Sequence, residues 1–101
     1  MARIVVTDAA SFDQTAILSD LHAKAGLRIV VRFRARFRLL FDHLADHPAS
    51  GPRRDALGAD VRIGVVAPYI VICRHSRHDD TVTVLRIIHA RQDITRELHR
   101  R

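Results

Sequence analysis

The stretch Thr81–Asp93, Thr-Val-Thr-Val-Leu-Arg-Ile-Ile-His-Ala-Arg-Gln-Asp, limits the possible folds more than any other part of the chain. It is β-branched and apolar at both parities, with Val82, Val84 and Ile88 on one face and Leu85 and Ile87 on the other. A strand that is apolar on both faces belongs inside a sheet, with cover on each side. Arg86 sits within this run and conflicts with it, because a lone guanidinium is costly to bury. Arg86 therefore needs a partner, or one face of the sheet must stay open. The run closes in a polar cluster of His89, Arg91 and Asp93.

The preceding residues supply what such a sheet needs. Arg3–Thr7 is a short β-branched run and reads as a first strand. Asp8 can cap the helix that follows, and Ser11 with Gln14 also fits a capping box. Ala10, Ile17, Leu18, Leu21 and Ala25 make its apolar face, with Asp13, Asp20 and Lys24 placed off it, and Ala25-Gly26 ends it in a tight turn. Leu27–Ala45 reads as a second helix, striped by Val30, Phe33, Phe37, Leu40, Phe41 and Leu44. Gly26 leaves so short a connection that the two helices form an antiparallel hairpin, whose apolar face needs a sheet to cover it. Phenylalanines at this spacing are core. Arg28 and Arg32 point the other way, with Arg34, Arg36 and Arg38 on the flanks. Such a stripe is most often a solvated face; the alternative is nucleic-acid contact, although no aromatic residue is interleaved for base stacking.

Pro48, Gly51 and Pro52 stop the second helix and make a loop. From Asp60 to Val66 the pattern alternates, with Val61, Ile63 and Val65 on the buried face and Arg62 and Gly64 on the other. After Ala67-Pro68, Tyr69–Arg74 is a third strand, and the polar turn His75–Asp80 leads into the fourth. Connections this short make an antiparallel meander. The expected class is α+β: an N-terminal strand and an antiparallel helix hairpin packed on a largely antiparallel sheet, in the order β-α-α-β-β-β. A short C-terminal helix over Ile94–Arg101, capped by Asp93, completes one domain spanning residues 1–101.

Composition narrows the functional classes. Hydrophobic residues make up 48% of the 101, as a folded domain requires. Arginine interrupts every apolar run, so none spans a bilayer, and the N-terminus lacks the apolar segment of a signal peptide. Cys73 is the one cysteine and has no internal disulfide partner, so the expected location is cytoplasmic. The net charge of +6 is carried almost wholly by arginine, Lys24 being the only lysine. That balance attracts nucleic acid, an acidic protein or an anionic surface, or it reflects genome base composition.

Few residues carry recognisable chemistry. His43 and His47 are four apart, and His75 and His78 flank a turn, but neither pair has a third ligand at a metal spacing, so no metal is expected. Cys73 lies in an apolar strand and reads as a buried, inert thiol. No glycine-rich loop or nucleophile elbow is present, and no cofactor or stable small-molecule ligand is expected. In the His89, Arg91 and Asp93 cluster, a histidine acid or base, a phosphate-holding arginine and an orienting carboxylate stand close in sequence. The structural alternative is a helix cap with an ion pair.

The order of these motifs resembles the ParE/RelE superfamily of bacterial type II toxins, and ParE-type members most. Pro48, Gly51, Arg62, Tyr69, Arg86, His89 and Asp93 match the family's loop, strand and end-of-strand positions over nearly the whole chain. The resemblance implies a plasmid-stabilising or growth-arresting toxin, held in a hetero-oligomer by a cognate ParD-like antitoxin. ParE-type toxins inhibit DNA gyrase by binding, whereas RelE-type toxins cut mRNA on the ribosome. Ile70 and Gly64 stand where RelE-type nucleases carry basic residues, and Tyr69 is the only tyrosine. The expectation is therefore a gyrase inhibitor without chemistry of its own, with ribosome-dependent RNA cleavage as the alternative. Arg62, Arg86, His89 and Arg91 are the expected partner-binding residues, or the catalytic set under the alternative. The face carrying Arg86 is expected to stay open until a partner covers it.

Overall fold

The computed structural model describes residues 1–92 and 96. Strand β1 (Arg3–Val6), helices α1 (Asp8–Ala25) and α2 (Leu27–Asp46), and strands β2 (Val61–Val66), β3 (Tyr69–Ser76) and β4 (Thr81–His89) follow in order, with a 3-10 turn at Asp55–Leu57 before β2. The β-α-α-β-β-β order of an α+β fold is thus present. The expected last helix over Ile94–Arg101 and its Asp93 cap fall, Arg96 apart, outside the described residues.

The cap of α1 is Thr7 rather than Asp8. Its extended backbone lets the hydroxyl accept from the Ala10 amide at 3.1 Å while donating to the Leu85 carbonyl at 3.0 Å. Asp8 instead occupies the first turn, where its charge favours the helix dipole. One hydroxyl thus starts α1 and ties it to β4. At the other end Gly26 adopts φ 87°, a conformation an L side chain resists, and turns the chain directly into α2.

The sheet order is β1-β4-β3-β2. β4 is interior, as its two apolar faces require; it pairs parallel with β1 and antiparallel with β3. It does not keep one parity throughout. Cys73 pairs with Val84 and Ile72 with Arg86, which leaves Leu85 as an extra residue in a β-bulge. Val82 and Val84 face the helices before the bulge and Ile87 does so after it, while Leu85 and Ile88 turn to the opposite face. The expected grouping of Ile88 with Val82 and Val84 fails for this reason.

The main core lies between the helix hairpin and the sheet, where Phe33, Phe37, Leu18 and Ala10 meet Val66, Tyr69, Val71, Val84 and Ile87. A smaller cluster of Ala2, Leu44, Cys73 and Val82 extends it. The opposite face of the sheet was expected to be open, but part of it is covered by the chain itself. Leu57 from the 3-10 turn packs on Val61, Ile72 and Ile88, with Leu85 and Ile70 at the margin. Residues 51–54 run along the outer edge of β2, with Arg54 N bonded to Val61 O and Ile63 N to Pro52 O.

This arrangement reverses the expected faces of β2. Gly64 and Val66 lie under α2, and Arg62 shares their parity, whereas Val61 and Ile63 are buried on the far side. Gly64 explains the reversal. A Cβ there would come within 2.9 Å of Leu40 Cδ2, so the absence of a side chain lets α2 settle on the sheet.

Candidate functional site

Arg86 receives its partner from within the molecule. Asp13 on α1 faces it beside β4, past the end of β1, with Nε at 2.7 Å from Oδ2 and NH2 at 3.0 Å from Oδ1. Both side chains are largely buried, 16% and 12% exposed. Asp13 Oδ2 also accepts from the Ile87 amide at 3.0 Å. That amide lies beyond Val84, where the pairing of β4 with β1 ends, so the carboxylate takes the place of a neighbouring strand. A bidentate pair with an added backbone donor is the geometry in which a buried charge is tolerated. The expectation that Arg86 waits on an open face for an outside partner is corrected: α1 supplies the acid.

The apolar face assigned to α1 from the sequence leaves Asp13 outside it. Asp13 follows Ala10 by three residues and precedes Ile17 by four, which puts it within the buried stripe. An acid in an apolar helix stripe and an arginine in an apolar strand are two halves of one signal.

Arg62 is half-buried and is also engaged internally. Its NH1 donates to the Gly51 carbonyl at 2.7 Å, holding the loop that edges β2. Across the ladder its own carbonyl accepts from Cys73 Sγ at 3.4 Å. Burial pushes the Cys73 thiol up to about 11, with Arg62 drawing it back only in part. The thiol is therefore protonated and shielded, as expected of an inert cysteine.

His89 and Arg91 lie at the far end of β4, in a tight turn. His89 N donates to Gln92 Oε1 at 2.7 Å, Gln92 N donates to His89 O at 2.9 Å, and Arg91 N donates to His89 Nδ1 at 3.1 Å. The ring thus accepts a backbone hydrogen bond at Nδ1, leaving Nε2 as its proton-bearing atom. Its edge meets Tyr69, whose ring also contacts Phe33 and Phe37. Tyr69 is 8% exposed, and burial, then the nearby Asp20 charge, raises its phenol above 10.0. Such a phenol keeps its proton. Arg91 is exposed, and Asp93 lies outside the described residues.

The four expected residues do not converge on one point. Arg62 pairs with Cys73, whereas His89 pairs with Tyr69, four residues away along β3 and thus roughly 13 Å distant. Only His89 and Arg91 share a locale. Elsewhere, the rings of His43 and His47 stand 4.9 Å apart beside a shallow hollow of about 440 Å³. His75 is paired with Asp80 at 3.0 Å. Among the described residues no group of three or more His, Cys, Asp or Glu side chains is placed to hold a metal. No helix among them is long and apolar enough to cross a membrane.

A family model described as the ParE toxin of the type II toxin-antitoxin system parDE matches residues 4–94. The fold is similar to a chain of the chromosomal ParDE TA system from P. aeruginosa, with a TM-score of 0.72 and 19% identity over 88% of this chain and 96% of that one. It is also similar to a chain of the RelBE2 toxin-antitoxin complex from Mycobacterium tuberculosis, with a TM-score of 0.57 and 22% identity over 87% and 96%. No curated protein matches the chain significantly.

Proposed function

The chain belongs to the ParE toxin family of type II toxin-antitoxin systems, and from that premise we propose that it arrests growth by binding DNA gyrase and is neutralised by a cognate ParD-like antitoxin. The observation that carries a binding role over a chemical one is the dispersal of the expected residues. Cleavage of RNA at a 2′-hydroxyl needs a base, an acid and a cation around one phosphate. Arg62 is bonded to Gly51, Arg86 to Asp13, and neither lies beside His89. Cys73 and Tyr69 hold their protons too firmly to replace a missing base.

The proposed partner surface comprises Arg62, Arg86, His89 and Arg91. His89 and Arg91 meet a partner directly, while Arg62 and Arg86 do so only through the part of each guanidinium left uncovered. The toxin domain, taken as residues 1–101, would work in the cytoplasm as a hetero-oligomer with its antitoxin. Complex formation through such a basic surface weakens with salt.

The test sets purified toxin against gyrase supercoiling and, in parallel, against mRNA on translating ribosomes. Loss of supercoiling with intact message is expected. Codon-positioned cuts in mRNA with normal gyrase activity would overturn the reading in favour of ribosome-dependent cleavage.

A further inference from the structure

We propose that the outward face of α2 docks on the phosphate backbone of duplex DNA. This goes beyond gyrase binding and stands or falls without it. Helix α2 carries Arg28, Arg32, Arg34, Arg36 and Arg38, and its acidic residues, Asp42 and Asp46, come only after them in its C-terminal part. Arg28, Arg32, Arg34 and Arg38 are exposed. Among the described residues, the ion pairs join Lys24 to Asp20, Arg53 to Asp55, His75 to Asp80 and Arg86 to Asp13, and none uses an α2 arginine. Arg36 is fixed at the flank, stacked 4.8 Å over the Phe33 ring and donating to the Ala67 carbonyl at 3.1 Å.

The arrangement is regular. Arg28, Arg32 and Arg36 follow at four-residue steps and form a row about 12 Å long on one flank. Arg34 and Arg38 form a second row on the other flank. Between the rows lie Val31, Ala35 and Leu39, all exposed. A duplex strand offers a phosphate about every 3.4 Å of axis, a repeating array that two ordered rows of guanidinium groups can track.

Competing anionic partners fit less well. A single strand needs aromatic platforms, and the α2 phenylalanines Phe33 and Phe37 are buried in the core. An anionic bilayer needs a wide apolar face, whereas the exposed strip between the rows is narrow and the larger apolar face of α2, with its phenylalanines, is spent on the sheet. A disordered acidic polypeptide has no fixed charge spacing for the rows to match. Arginine usage driven by base composition would also spread evenly. The adjoining α1 instead has no arginine, carrying Asp8, Asp13, Asp20 and Lys24.

The experiment titrates the full chain into a short, blunt, mixed-sequence duplex by fluorescence anisotropy across a range of salt. The logarithm of the binding constant should fall with log salt at a slope of about −3 to −4. The triple variant Arg28→Gln/Arg32→Gln/Arg38→Gln should make that slope shallower by about 2 to 3, with an unchanged melting curve. The pair Arg74→Gln/Arg77→Gln, exposed at the other end of β3, should leave the slope close to the parent's. The proposal is overturned if the triple variant keeps the parental slope, or if both variants lower it equally. Absence of duplex binding, or tighter binding to polyglutamate, single strands or anionic vesicles, overturns it too.

Discussion

The arginines of the strands and those of α2 are chemically identical and structurally opposed. Arg86 and Arg62 sit in apolar strands, and each is held by a carboxylate or carbonyl from elsewhere in the chain. The exposed arginines of α2 form no ion pair among the described residues and have no apolar cover. A charge embedded in an apolar run is conspicuous in sequence, yet the fold must neutralise it before it can exist there. A charge on a polar helix face is inconspicuous and remains available to a partner. The difference separates the arginines that hold this molecule together from those it presents.

Breaking the internal pair should have the largest effect. Asp13→Ala removes the carboxylate that binds both Arg86 and the Ile87 amide and should cost about 3 kcal/mol in urea unfolding. Asp13→Ala/Arg86→Met should cost less than the sum of the single changes, because both charges leave together. A loss below about 1 kcal/mol for Asp13→Ala would erase the distinction between the two groups. Next, Arg62→Met removes one charge-assisted bond to Gly51 and should cost about 1 to 2 kcal/mol, seen as a lower melting temperature. By contrast, Arg32→Gln and Arg38→Gln should each change stability by no more than about 0.5 kcal/mol.

The smallest effect concerns an exposed acid. Hydrogen bonds from Ser76 and then Thr81 hold the Asp79 carboxyl below its ordinary 3.8. A carboxyl depressed in the folded state contributes stability above its unfolded value and loses it as pH falls through the folded one. Melting measured from about pH 5 down to about pH 2 should therefore fall slightly less steeply in Asp79→Asn than in the parent. A difference as large as that of Asp13→Ala would blur the contrast between buried and exposed charge.

Much of the architecture was legible in periodicity. The helix hairpin followed from the Phe33, Phe37 and Leu44 stripe and from Gly26, and the interior place of β4 from its two apolar faces. What escaped depended on features that pattern does not encode. The bulge at Leu85 changes parity within a strand whose composition is uniform. The faces of β2 invert because alternation in the sequence groups Gly64 with Arg62 without showing that its missing side chain makes space for Leu40. The candidate residues were recognisable as a family pattern, but their dispersal across the sheet depends on register, which no local motif specifies.

The carboxylate of Asp13 has a further consequence for how the sheet can grow. Strand β1 stops at Val6, and the next stretch of the β4 edge is spoken for by a side chain. The Ile87 amide has one hydrogen to give, so a guest strand extending β1 along this edge must first evict Asp13 and leave Arg86 without that acceptor. Residues 51–54 occupy the opposite border, beside β2. One border is thus closed by a salt bridge and the other by a loop, and a partner that pairs by backbone is steered to the outer side of β1, whose Val5 and Val6 are exposed.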